Sequence, residues 1–327
     1  MRTNNILMTM AALAIVGCSQ NEITEQNPDA HTPIGFGVYT GVQTKGTETT
    51  TTTIEGSGVG FGVVALSTDN TKVYMTDRNV TKSGSSWTYT PIAYWPAGET
   101  ALNFYSFAPY NDTDITKTSF GSNNPTIGFK IKDAWGSMVD LVAAKNTNAP
   151  ANTQVSVQFS HVLTRIAFTA KTSEVLANGT TVAVTGLEIL GSTAFADSRF
   201  YESGDYSILN EAWSGETAKA DNYPVALAGN SVNVTNSPVD LLGANNYLFC
   251  IPVTSLQADK IKVKITYATT SGSVTSTKDE TVSIPAYHFV KGTAYTYAFT
   301  ITMNRISFTV DSAIAGWGGD TGSHDIP

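Results

Sequence analysis

Four histidines, two cysteines and one early lysine hold most of the chemistry that this 327-residue chain offers. The histidines are His31, His161, His288 and His324. No two stand at a metal-ligand spacing, and there is neither a His-Glu-x-x-His run nor a paired-cysteine motif. His161 lies within an alternating run, where a hydrogen-bonded structural histidine is expected. No Gly-x-Ser-x-Gly elbow is present. Gly56-x-Gly58-x-Gly60-x-Gly62 alternates regularly and opens no helix, which sets it apart from a phosphate-binding loop. The carboxylates are scattered, without a pair set for glycoside hydrolysis. These residues predict a protein that is not an enzyme and that holds no cofactor or metal. Cys250 sits in the apolar run Tyr247-Leu248-Phe249-Cys250-Ile251 and reads as a small buried thiol rather than a nucleophile.

Cys18 has a different setting. Arg2 and the apolar stretch Ile6 to Val16 form a secretory leader, residues 1–17, too short for the roughly 20 residues that a membrane-spanning helix needs. The stretch ends Ala14-Ile15-Val16-Gly17-Cys18, which resembles the lipobox of bacterial lipoproteins. There the cysteine becomes the first residue of the exported chain. Its sulfur takes a diacylglycerol, and acyl groups such as palmitate anchor it to the membrane. Residues 18–30 are polar and read as a flexible tether.

The rest of the chain reads as strands. Charged residues make up only 14% of the chain, and the net charge of −8 includes no basic block, which argues against nucleic acid as a partner. Ile34, Phe36, Val38 and Val42 share one side of an extended stretch whose other side is mostly glycine. Lys45 and Gly46 come next, in a polar, threonine-rich loop. Near the other end Ile306, Phe308, Val310 and Ile314 repeat the same spacing. The match suggests that the first strand is removable and that the last strand of a neighbouring molecule can take its place. Further strands are expected at 59–66, 102–109, 155–161, 182–190, 247–253, 261–267 and 295–301. Gly, Asn, Ser and Pro turns separate them, as in an antiparallel sandwich. Residues 195–230 read as long irregular loops, and no amphipathic helix is expected. Trp135 and Trp213, placed in irregular segments, are candidate platforms for stacking on sugars.

Trp87-x-Tyr89 is followed by Tyr94-Trp95-Pro96, Phe104-Tyr105-Ser106-Phe107-Ala108-Pro109, Asp140-Leu141-Val142-Ala143 and Phe159-Ser160-His161-Val162-Leu163-Thr164-Arg165-Ile166. In that order these motifs resemble the fimbrillin family, the type V pilins. The resemblance implies an all-β chain of two transthyretin-like sandwich lobes in tandem, here 31–171 and 172–327. It implies export as an outer-membrane lipoprotein, trimming by an arginine- or lysine-specific protease, and strand exchange with other fimbrial subunits into a surface fibre that supports adhesion. No arginine lies between Arg2 and Arg78, so Lys45–Gly46 is the expected cut. An uncut lipoprotein serving as anchor, tip adhesin or glycan-binding module, with host or bacterial surface ligands, is the alternative.

Overall fold

The computed structural model describes residues 32–40, 49, 51–243, 246–253, 260–284, 289–302 and 306–312. Its first strands are β1 (Phe36–Thr40), β2 (Phe61–Leu66), β3 (Val73–Ser83), β4 (Ser86–Thr88), β5 (Ala101–Ala108), β6 (Ile115–Thr116) and β7 (Thr126–Lys130). Next come β8 (Val142–Pro150), β9 (Val155–His161), β10 (Thr164–Thr172), β11 (Thr180–Ile189), β12 (Tyr201–Ser207), β13 (Ala212–Ala218) and β14 (Tyr223–Pro224). The last are β15 (Val232–Val234), β16 (Val239–Asp240), β17 (Leu248–Cys250), β18 (Ile261–Ser271), β19 (Val274–Ile284), β20 (Ala294–Ile301) and β21 (Ile306–Ser312). The protein is thus all-β.

A seven-stranded sheet runs β1-β9-β8-β5-β2-β3-β4. A second joins β16, β10, β20 and β21, with β17 also on β10. A third joins β14, β11, β18 and β19, with β15 also on β11, and a small sheet runs β13-β12-β7-β6. Four ladders cross residue 172: β10 with β16, β17 and β20, and β7 with β12.

Alternation explains the strands that read clearly. In β9, Val155, Val157 and Phe159 are buried while Ser156, Gln158 and Ser160 are exposed. In β18, Ile261, Val263, Ile265 and Tyr267 are buried against intermediate Lys262, Lys264 and Thr266. The buried residues form two clusters. One gathers Ile34, Phe36, Phe61, Trp95, Phe104 and Phe159 with other residues from the first half of the chain. The larger one spans both halves and includes Phe168, Tyr223, Tyr297 and Phe299.

The glycine repeat has a packing cause. Gly60 has φ +58°, and a Cβ there would stand 2.5 Å from the Val80 carbonyl oxygen. A Cβ on Gly62 would run into the Phe107 ring. Only glycine lets β2 lie this close to its neighbours.

Four expectations need correction. Residues 195–230 are not simply loop: β12 and β13 form a hairpin that continues onto β7. Its ladder is irregular at Tyr201/Ser203 and Ser203/Asp205, so its buried Tyr201, Tyr206 and Trp213 lose the regular alternation that marks a strand. The threonine-rich loop ends in a four-residue helical turn, Thr51–Ile54, because Ile54 is fully buried and pins it to the first core. Pairing is not antiparallel throughout, since β1 lies parallel to β9 and β10 parallel to β20. Finally, Trp213 is no surface platform. It is 7% exposed, and its indole Nε1–H donates to the Val162 carbonyl at 2.8 Å.

Candidate assembly site

β1 lies at the end of the seven-stranded sheet and its ladder has one partner, β9. Phe36 pairs with Val155, Val38 with Val157 and Thr40 with Phe159. Just before the strand the chain is held on its other side as well. Pro33 bridges Tyr94, the Ile34 N–H donates to the Ala93 carbonyl at 2.9 Å, and the Trp95 N–H donates to the Thr32 carbonyl at 2.9 Å. The Tyr89 hydroxyl donates to the Ile34 carbonyl at 2.8 Å. On the β9 side the Val155 N–H donates to the Gly35 carbonyl, and the Gln154 amide Nε2 donates to that of Phe36.

The edge position contrasts with the depth of its side chains. Ile34 and Phe36 are each 2% exposed, and Val38 is also buried. Phe36 meets Phe61, Tyr89 and Phe104 edge-on, with ring centroids 5.6–5.9 Å apart. Such ring pairs add to plain area burial. Phe36→Ala is therefore expected to cost about 3–5 kcal/mol, read as a lower urea midpoint at an unchanged m-value.

A second feature was not anticipated from the sequence. The Thr49 N–H donates to Asp140 Oδ2 at 2.8 Å, and the Thr49 hydroxyl donates to the Asp140 carbonyl. His161 Nδ1 lies 2.9 Å from the same Oδ2. Asp140 is 2% exposed and Thr49 8% exposed. Thr40, the last residue of β1, lies opposite Phe159, and Thr49 is held at Asp140 beside His161, two residues further along β9. The only sequence signal for this contact was a lone carboxylate opening the apolar run Asp140-Leu141-Val142-Ala143.

β21 lies at the end of another sheet, antiparallel to β20. Its register sets Ile306 opposite Ile301, Phe308 opposite Phe299 and Val310 opposite Tyr297, and Ile306 packs partly buried against the larger core. β1 and β21 thus end different sheets and do not touch through a ladder. Cys18, Val42, Lys45, Gly46 and Ile314 lie outside the described residues, as do His31, His288 and His324. Arg78 sits within β3, paired with Val63, and its Nη1 donates to the Thr76 carbonyl. Cys250 is fully buried, and that desolvation pushes its thiol pKa well up, away from the reactive thiolate.

A family model described as fimbrillin-like matches residues 38–317. The chain is 34% identical to fimbrium subunit Fim1C of Phocaeicola vulgatus, over 99% of this chain and 98% of that one. Its fold is similar to the crystal structure of a fimbrial protein from Bacteroides vulgatus, with a TM-score of 0.72 and 28% identity, covering 87% of this chain and 99% of the other. A Bacteroides uniformis protein of known structure shares the fold at a TM-score of 0.51 and 14% identity, covering 88% and 99%. The extent of the family match and the whole-length identity lead to one conclusion: this chain belongs to the fimbrillin-like family.

Proposed function

We propose that this chain is a structural subunit of a cell-surface fimbria that supports adhesion, built by removing β1 and filling its place with a strand from another subunit. On this reading residues 1–17 are the leader, Cys18 carries the lipid in the outer membrane, 18–30 are the tether, and two sandwich lobes divide near residue 172. A lysine-specific protease cuts between Lys45 and Gly46, and the lipid leaves together with β1.

The observation that carries this reading is the mismatch at β1. Among the described residues its backbone pairs along a ladder with β9 alone, as an edge strand, while its side chains fill the first core. A strand with that combination can be withdrawn sideways, and its loss leaves an apolar groove beside an unpaired ladder. Such a groove recruits another strand. Thr49 and Ile54 support the placement of the cut. Both are fixed to the fold downstream of Lys45, so after scission there the new N-terminal segment stays attached to the lobe. Arg78 fits poorly as a cut site, because it lies inside a paired strand.

The test is the N-terminus of protein sheared from the cell surface. Gly46 is the expected first residue. Acylated Cys18 throughout would instead mean an uncut lipoprotein acting as anchor or tip.

A further inference from the structure

A second site lies away from β1. β11 carries a bulge between Val184 and Gly186. Along its other edge β14 pairs with Glu188 and Ile189, and β15 pairs with Val182 to Val184. Between these two short ladders the chain from Val225 leaves the sheet, after its N–H has donated to the Leu187 carbonyl at 2.8 Å. The detour opens a groove of about 620 Å³ at the bulge. Trp135 forms one wall, carried on the short 3-10 turn Trp135–Ser137 and packed by part of its surface against the larger core. Leu187 and Val225, both buried, form the floor.

Asp133 and Glu188 bring carboxylates to this groove, Asn230 an amide and Thr185 a hydroxyl, and among the described residues the lining includes no lysine, arginine or histidine. The Asp133 side chain is 94% exposed and pairs through its Oδ1 with Lys219 at 3.6 Å, and Glu188 is steadied by Lys264 at 3.0 Å through its Oε2. An aromatic wall and aliphatic floor with a few convergent polar groups make the usual composition of a small-molecule site.

From this arrangement we infer that the Trp135 groove binds a neutral hexose unit of a surface glycan. A pyranose ring has an apolar face for the indole and a girdle of hydroxyls for the two carboxylates and the amide. An acidic sugar would find the nearby lysines already committed, Lys219 to Asp133 and Lys264 to Glu188, and so would gain no cation of its own. A purely apolar occupant would strip water from the rim carboxylates and give nothing back. The inference does not depend on strand exchange, since the groove lies on β11, β14 and the Trp135 turn, far along the chain from β1.

The test uses the full chain, titrated with the methyl glycosides of glucose, galactose and mannose and with glucuronate, by saturation-transfer NMR and calorimetry. At least one neutral glycoside is expected to bind at about the millimolar level normal for so small a ligand. Trp135→Ala should weaken it at least tenfold. Asn230→Ala, at an exposed loop position, should weaken it several-fold without changing the melting temperature. Glucuronate should bind more weakly than the best neutral glycoside. The inference is overturned if no neutral glycoside shows transfer at tens of millimolar, if Trp135→Ala binds as well as the parent, or if glucuronate is preferred.

Discussion

A chain made to begin at Gly46, without β1, will not persist as a folded monomer. Three described side chains leave with that strand, Ile34, Phe36 and Val38, all of them buried. At about 1.5–3 kcal/mol each, their loss amounts to roughly 4.5–9 kcal/mol, an upper estimate because the unfolded chain is itself partly collapsed. A typical domain has only about 5–15 kcal/mol in total. The vacancy also leaves Phe61, Tyr89, Phe104 and Val157 facing water where Phe36 and Val38 had covered them. The Gly46 chain should therefore appear either as polymer or as aggregate. A synthetic peptide spanning residues 32–44 should restore a soluble monomer. Size-exclusion chromatography with light scattering reads both outcomes. A stable monomer without added peptide would show that β1 is ornamental.

Deleting residues 306–327 should give a subunit that is still cut after Lys45 and no longer polymerises. On the proposed exchange, two ladders compete for β21 as donor. β21 makes seven residue pairs with β20, whereas β1 makes five with β9. Backbone pairing alone therefore does not draw β21 out of its own sheet. The drive is apolar: Ile306, Phe308, Val310 and Ile314 reproduce the spacing of Ile34, Phe36, Val38 and Val42, so the donor can fill the same positions in the emptied first core. Truncation should lower stability modestly, because β21 is an edge strand and its neighbour β20 keeps β10 on the other side. The polymer yield, by contrast, should fall to background. Cutting truncated and intact subunits together should cap growing chains, since a truncated subunit accepts a strand and offers none. Polymers of normal length from the truncated chain would assign the donor to another segment.

Much of the fold was legible because half-buried strands record their environment residue by residue. β9 and β18 alternate so cleanly that hydrophobicity alone marks their inward faces. β1 was legible in the same way, through Ile34, Phe36 and Val38. Its place in the sheet was not, because a side-chain pattern names a face and leaves the backbone partner open. The parallel register of β1 on β9 joins residues more than a hundred positions apart, and no local signal encodes it. β19 was missed over most of its length for the opposite reason. Its residues Val274 to Glu280 are nearly all exposed, so no alternating apolar face marks them, and the ladder to β18 keeps them extended. Trp213 misled because bulges on β12 break the alternation of its hairpin, so a core anchor looked like a loop residue. The contact of Thr49 with Asp140 depends on two polar residues brought together by the fold, a kind of pairing that composition and spacing do not reveal.

The central claim is that one subunit's first strand is a detachable part that a sister molecule replaces. Its most direct test is to treat purified full-length protein with a lysine-specific endoprotease, track mass by light scattering, and sequence the product's N-terminus. The expected result is a ladder of polymers whose chains begin at Gly46, and no ladder from Lys45→Ala. Complete scission after Lys45 that yields only a folded monomer would contradict the claim.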